Sequence, residues 1–316
     1  MYYVLSRGKR LGYAAYERLL QWELSGTPDH VAVIMDGNRR YADRRARGTG
    51  RPQRRSQTTA ALLNWCDELG IREVTLYTFS TENFDRDPEE LEHIFDLVEQ
   101  KLRTFADADR VHEAGVCIRA IGETEMLPER VRDAIDYAEG RTAQYDQLNL
   151  NIALAYGGRA ELLGAARDVA AAVENETLDP TDVSAEKSTE LCQHPTRDVD
   201  LIIRTGGAER TSNFLPWHAN GNEAAVYFCA PYWPEFSKVD FLRALRTYQN
   251  REDSWRTTRA ERSLALVRAI EQSELPTAKR MLGRFRDALP STEREQLDEE
   301  YDLRLTSYRP NRRCRY

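Results

Sequence analysis

Six short apolar runs are spaced along the chain with longer helical stretches between them: VAVIM (31–35), EVTLYTF (73–79), VCIRAI (116–121), LNLNIAL (148–154), DLIIR (200–204) and AAVYF (224–228). Runs of this length, rich in Val, Ile and Leu, suit buried strands better than buried helices. Because parallel neighbours need long crossovers, strands that alternate with helices imply a mainly parallel central sheet of about six strands flanked by helices, an α/β fold. The intervening helices are expected near 57–69, 88–109, 128–139, 159–174, 183–192 and 238–250.

Sequence flanks this αβ core on both sides. Residues 1–28 read as an amphipathic helix with Leu11, Ala15, Leu19 and Trp22 on one face, stopped by Gly26-Thr27-Pro28. That face is expected to pack on the domain, with peripheral contact to a membrane surface as the alternative. Residues 29–251 carry all the strands, and residues 252–316 read as a charged helical C-terminal extension punctuated by Pro276, Pro290 and Pro310. No apolar run approaches the roughly 18 residues that span a bilayer, and the N-terminus lacks a signal peptide's apolar core, so a cytoplasmic location is expected. Five scattered cysteines without paired spacing argue against disulfides and a zinc site. A net charge of -7 argues against general affinity for nucleic acid.

In an open parallel sheet, ligands bind beyond the carboxyl ends of the strands. The residues that follow the first strand are Asp36, Gly37, Asn38, Arg39 and Arg40. A carboxylate there can hold Mg²⁺ while backbone N–H groups and guanidinium forks grip phosphate oxygens; the local alternative is an Asp-Gly turn with a solvated arginine pair. A second cluster after the fifth strand, Arg204-Thr-Gly-Gly-Ala-Glu-Arg210-Thr211-Ser212-Asn213, joins two arginines, a Gly-Gly turn and a hydroxyl expected to open a helix. Two such cradles suggest two phosphorylated ligands. Neither has the spacing of a nucleotide P-loop or a dinucleotide fingerprint. Between them, Ser80-Thr81-Glu82-Asn83-Phe84-Asp85-Arg86 offers hydrogen bonds and another cation, with Asp85 or Asp87 as the cap of a helix that begins at Pro88. That helix carries Leu91, Ile94, Phe95, Val98, Leu102 and Phe105 on one side, a stripe suited to a core or to the lining of an apolar channel. His218, near the second cradle, is expected to be a satisfied or an exposed histidine, with polar lining of the cradle as the alternative.

HVAVIMDGNRRYA (30–42), VTLYTFSTENFDR (74–86), LNIALAYGGR (150–159), DLIIRTGGAERTSNFLPW (200–217) and WPEF (233–236) together resemble the cis-prenyltransferase family, the undecaprenyl and dehydrodolichyl diphosphate synthases. The resemblance covers about residues 29–251 and is closer to the archaeal and eukaryotic members. It implies a parallel sheet with an apolar tunnel, usually a homodimer, and Mg²⁺-dependent condensation of isopentenyl diphosphate with an allylic prenyl diphosphate, each new double bond being cis. The archaeal likeness points to geranylgeranyl diphosphate as primer and to a polyprenyl diphosphate product for lipid glycan carriers.

By the same resemblance, Asp36 and Asn83 are catalytic, and Asp36 and Glu223 are linked to the metal. Gly37, Asn38, Arg39 and Arg40 would hold the allylic diphosphate, with Tyr41 where tryptophan is frequent. Ser80, Thr81, Glu82, Phe84 and Arg86 would border substrate, and Arg204, Arg210, Thr211 and Ser212 would bind isopentenyl diphosphate. The chain departs from the family in the loop after DGN, RRARGTGRPQRRSQ (44–57), which lacks the usual histidine, and at Ala208, where an acid is common. An amide such as Asn83 is a poor general base, so positioning is its expected role. A non-catalytic partner subunit of such an enzyme is the alternative function. A trans-type synthase lacks support because the chain has no DDxxD cluster.

Overall fold

The computed structural model describes residues 16–46, 54–184, 197–219 and 224–256. The chain divides into two units, Met1–Arg251 and Glu252–Tyr316. Within the first, all six apolar runs are strands: β1 (His30–Ile34), β2 (Glu73–Tyr77), β3 (Val116–Ile121), β4 (Leu148–Ala153), β5 (Leu201–Arg204) and β6 (Ala225–Phe228). They form one sheet in the order β3-β4-β2-β1-β5-β6. Every pairing is parallel.

Side chains alternate across a strand, and here both faces are covered. Val31, Val33, Val74, Leu76, Leu201 and Ile203 enter one core, while Ala32, Ile34, Ile202 and Ala153 enter the other with Tyr156, Phe214 and Leu215. Strands buried on both faces read as continuous apolar runs, and β1 is buried at all five positions.

The helices are α1 (16–23), α2 (Asn38–Ala46), α3 (Arg54–Glu68), α4 (Pro88–Ala106), α5 (Asp109–Glu113), α6 (Glu129–Thr142), α7 (Gly158–Glu174) and α8 (Lys238–Arg256). Most follow the expected positions, but α2 does not. The sequence NRRYADRRA gives it no apolar stripe, so periodicity could not announce it. The helix expected at 183–192 lies almost wholly outside the described residues, although Val183 and Ser184 are not helical. At the start of α4, the Asp87 side chain accepts from the Glu89 amide at 2.9 Å and Pro88 occupies the first turn, so Asp87 rather than Asp85 is the cap. The α4 stripe is split, with Phe95, Val98 and Leu102 in the core and Leu91, Ile94 and Phe105 packed on its edge.

The inward face of α1 differs from expectation. Leu20 is buried, and Tyr16 and Leu24 pack against the same core, while Leu19 and Trp22 are 48% and 83% exposed. Tyr16, Leu20 and Leu24 are themselves spaced by four, so the segment carries two competing stripes and packing selects the second.

At the amino ends of the strands, opposite the cradles, a buried polar network joins three of them. The His30 ring reaches Thr75 Oγ1 at 2.7 Å and the Arg197 carbonyl at 2.8 Å, and Asn151 Nδ2 donates to Glu73 Oε1 at 2.6 Å. Burial pushes the His30 imidazole below its ordinary value, only partly opposed by the Glu73 carboxylate and the Arg197 carbonyl. A depressed histidine contributes stability above its unfolded value of 6.5, and loses it as pH falls, because the unfolded chain then binds the proton more readily. The urea midpoint of the protein is therefore expected to fall between about pH 7.5 and about pH 5.5, with a shallower fall in His30→Gln. Equal pH slopes in the two proteins would show that His30 does not carry the effect.

Candidate active site at the switch between strands

Strand β1 has β2 on one side and β5 on the other, so the chain reverses its direction of travel across the sheet at β1. A crevice opens at the carboxyl ends of strands at such a point. Ile34 and Arg204 are register partners, which sets the residues after β1 beside the end of β5. Asp36 and Arg204 meet there, with Arg204 Nη2 2.8 Å from Asp36 Oδ2. On the other carboxylate oxygen, Oδ1 accepts from the Gly37 amide at 2.5 Å and from Arg40 Nη2 at 3.0 Å. Burial pushes the Asp36 carboxyl up, but the hydrogen bonds from Arg204, Gly37 and Arg40 outweigh it and hold the group below the usual carboxylate value. Asp36 is an anion at neutral pH.

Local structure explains the approach. The chain leaves β1 and enters α2 directly, with Asn38 Nδ2 donating to the Met35 carbonyl at 2.9 Å. Gly37 takes a φ of +89°, and a side chain there would collide with the Tyr232 ring. Gly206 has a φ of +86°, and a Cβ would stand 3.1 Å from Arg40 Nη2 and 3.2 Å from the Asp36 backbone. The first and second cradles are therefore one site, closed over two glycines. Thr205 Oγ1 and the Trp233 amide donate to the Asp36 carbonyl at 2.9 and 3.1 Å, fixing its backbone.

Arg204 is only 4% exposed. Its Nη1 donates to the Arg210 carbonyl and to Ser212 Oγ, both at 2.5 Å, while Nε is buried without a hydrogen-bond partner among the described residues. The helix expected to open at Ser212 is not formed. Ser212, Asn213 and Leu215 instead take φ values of +50°, +59° and +49°, which no right-handed helix admits. This turn brings the Arg210 carbonyl and the Ser212 hydroxyl back onto Arg204 and leaves the Arg210 and Thr211 side chains exposed.

Residues 81–85 form a short 3₁₀ turn. Asn83 Oδ1 accepts from the Ser80 amide at 3.1 Å, so the amide side chain shapes its own loop. The Thr81 amide donates to the Tyr156 carbonyl at 3.1 Å, and a Cβ on Gly157 would meet Thr81 Oγ1 at 2.7 Å. Phe84 closes an aromatic group with Phe79 and Phe95, at centroid separations of 5.0 and 6.3 Å. Arg86 Nη1 lies 2.7 Å from Glu90 Oε1, and Arg39 Nη1 lies 3.9 Å from Oε2 of the same carboxylate. Glu90 thus joins this loop to α2, a link absent from the sequence reading. Glu82 is exposed and Tyr41 is buried. Glu223 and residues 47–53 of the histidine-free loop lie outside the described residues.

Other contributors also went unread. Tyr77 stacks on Phe214 at 4.4 Å, and burial pushes its phenol up to about 12. Arg40 and Arg44 both sit over the Tyr232 ring, 5.3 and 5.0 Å from its centroid. The nearest sequence signal was i,i+4 spacing of the two arginines on α2. Of the two expected states for His218, satisfied and exposed, the structure has the first: it is buried, with Nε2 2.8 Å from Glu161 Oε1.

The family model for undecaprenyl diphosphate synthases, a prenyltransferase family, matches residues 34–256. A tritrans,polycis-undecaprenyl-diphosphate synthase (geranylgeranyl-diphosphate specific) from Haloarcula marismortui is 90% identical over 304 residues, covering 95% of this chain and 99% of the relative. The enzyme of the same name from Halobacterium salinarum is 64% identical over 281 residues, 88% of this chain and 92% of its own. Among solved structures, lavandulyl diphosphate synthase from Lavandula x intermedia, in complex with dimethylallyl diphosphate, superposes with a TM-score of 0.62 at 32% identity, covering 71% of this chain and 95% of its own. An undecaprenyl diphosphate synthase from Campylobacter jejuni gives 0.59 at 32% identity, with the same coverage. With this sheet, this site and these relatives, the chain belongs to the cis-prenyltransferase family of polyprenyl diphosphate synthases.

Proposed function

We propose that this prenyltransferase condenses isopentenyl diphosphate onto geranylgeranyl diphosphate, repeatedly and with cis geometry, to build a polyprenyl diphosphate for lipid glycan carriers. The observation that carries the reading is the Asp36–Arg204 pair at the sheet's switch point, flanked by Arg40, Ser212 and the exposed Arg210. In this reading Gly37, Asn38, Arg39 and Arg40 hold the primer's diphosphate. Arg204, Arg210, Thr211 and Ser212 hold that of isopentenyl diphosphate.

The reaction breaks the primer's carbon–oxygen bond with departure of its diphosphate, joins its first carbon to the isopentenyl double bond, and passes a proton from the adduct to a diphosphate oxygen. Negative charge grows on the departing diphosphate, where preorganised guanidinium and amide donors are most effective. Ser80, Thr81, Glu82 and Arg86 border the reacting carbons, and Asn83 holds their loop in shape. Phe84, with the apolar side of α4, keeps water from the carbocation.

The residues fit Mg²⁺. Among the described residues no three acidic, histidine or cysteine side chains converge, so an all-protein cage is absent. Mg²⁺ characteristically binds through one or two carboxylates completed by substrate phosphates, and ionised Asp36 supplies such a ligand. Glu223 is proposed as the second. When bound, the ion would neutralise charge on the diphosphate oxygens.

Two further parts of the reading concern surroundings. No helix among the described residues is long and apolar enough to cross a membrane, and the exposed Leu19 and Trp22 of α1 support a peripheral contact with the membrane that receives a lipid product. In α7, Gly158 alone is buried, while Leu162 and Leu163 are 36% and 59% exposed. An apolar helix face of this kind supports a homodimer.

Purified protein with Mg²⁺, labelled isopentenyl diphosphate and geranylgeranyl diphosphate is expected to yield long polyprenyl diphosphates. Asp36→Ala should lower kcat/KM by about a thousandfold or more. Absence of elongation by the wild-type protein with every allylic primer would overturn the reading. In sedimentation velocity, the protein is expected to run as a dimer and Leu163→Arg as a monomer at micromolar concentration; a monomeric wild type would exclude the proposed assembly.

A further inference from the structure

We propose that Tyr156, Glu161 and His218 are positioning residues that latch the turn carrying Arg210 and Ser212, and so set the affinity of the Arg204 cradle for isopentenyl diphosphate. The inference rests on the reading of that cradle given above. No local motif in the sequence joins the three.

The turn needs a restraint. Three non-glycine residues in one short segment, Ser212, Asn213 and Leu215, occupy left-handed backbone, which L side chains rarely adopt. Such a turn persists only where its surroundings over-determine it. Here the restraint comes from the start of α7. The Gly158 amide donates to the Asn213 carbonyl at 2.9 Å, and the Arg159 amide donates to Asn213 Oδ1 at 2.9 Å. A Cβ at Gly158 would lie 2.1 Å from Pro216 Cδ, so the helix start and the turn are in direct contact.

One helical turn further on, Glu161 binds both ends of the remaining gap. Its Oε2 accepts from the Tyr156 hydroxyl at 2.5 Å, and its Oε1 accepts from His218 Nε2 at 2.8 Å. A carboxylate has only acceptors, which makes Nε2–H the donor. Burial pushes the Tyr156 phenol well up, so it too remains a donor. Tyr156 and His218 are 1% and 2% exposed, so both donors are shielded from water and bond a half-buried carboxylate. Between them Phe214 is buried edge-on to Tyr156 at 6.0 Å and stacked on Tyr77. The His218 carbonyl accepts from the Val199 amide at 2.8 Å, so the far end of the latch is anchored just before β5.

The latch acts unequally on the two halves of the site. The loop at 80–86 leans on the Tyr156 backbone, through the Thr81 amide, and does not use the phenol. The turn at 210–218 is held by the α7 amides and, in addition, by the Tyr156 and His218 side chains on Glu161. Removing the phenol oxygen or the imidazole should therefore loosen Ser212 and the Arg210 carbonyl, both ligands of Arg204 Nη1, while leaving the primer side in place.

The test is steady-state kinetics on the full chain with the two substrates varied separately. Tyr156→Phe and His218→Leu are each expected to raise KM for isopentenyl diphosphate by about tenfold and to move the primer's KM by less than about twofold. His218→Gln, whose amide can still donate to Glu161, is expected to stay within about twofold of wild type for both substrates. Unchanged KM values in Tyr156→Phe, or a parallel rise for both substrates, would overturn the proposal. So would His218→Gln behaving like His218→Leu. Should His218→Leu fail to fold, Tyr156→Phe decides alone, because it removes a single oxygen. If the wild-type protein does not elongate any primer, the functional reading itself fails; if it does and the split is missing, only the latch fails.

Discussion

The ion pair between Asp36 and Arg204 joins residues 168 positions apart, and most of the site is arranged to make it tolerable. Burying a guanidinium is costly unless its donors are met, and removing one partner of such a pair leaves a charge stranded. Arg204 is met by a carboxylate, a backbone carbonyl and a hydroxyl. Asp36 in turn draws on Gly37 and Arg40. These partners come from the end of β1, from α2 and from the turn after β5, so β1, α2, β5 and that turn must all be in register for either charge to be satisfied. A site with fixed donors of this kind has its reorganisation cost met during folding rather than during reaction.

Backbone shape does as much as charge. Gly37 and Gly206 let two strand ends come closer than side chains would allow, and the Gly157-Gly158 pair does the same between α7 and two loops. Tyr232 packs on the Gly37 backbone and carries Arg40 and Arg44 above its ring, so one aromatic residue both enforces the need for glycine and orients the cations. The Gly-rich motifs at these element ends are therefore also contact surfaces between segments.

How much of this could be read in advance follows from which forces leave a periodic trace. All six strands were legible because a sheet buried on both faces writes continuous apolar runs. Asp36, Gly37, Arg40, Arg204 and Ser212 were legible as strand-end residues whose chemistry suits phosphate. The helix α2 was not, since a polar helix at a ligand site has no stripe. Ser212 was misread as a helix start because a hydroxyl before a polar stretch looks like a cap, while its left-handed backbone leaves no mark in the residue types. The face of α1 was misjudged because two stripes competed and only tertiary packing chose between them. Glu90 with Arg39 and Glu161 with His218 pair across the fold, and pairings of single residues far apart in sequence are invisible without the fold.

The location of these failures is itself informative. Local rules held in the strands and in the cap of α4, where burial and hydrogen bonding agree with sequence preference. They failed at α2 and at 212–215, which both border the Asp36–Arg204 pair, and at the inward face of α1, where two apolar stripes compete. Segments that must present backbone donors, exposed arginines or a hydroxyl at fixed positions cannot also satisfy ordinary preferences for apolar periodicity and right-handed backbone. At 38–46 and 212–215 the departures from local preference fall at the candidate site, and the proposed latch, with the carboxylate of Glu161 between two buried donors, is the kind of interaction that holds such a departure in place.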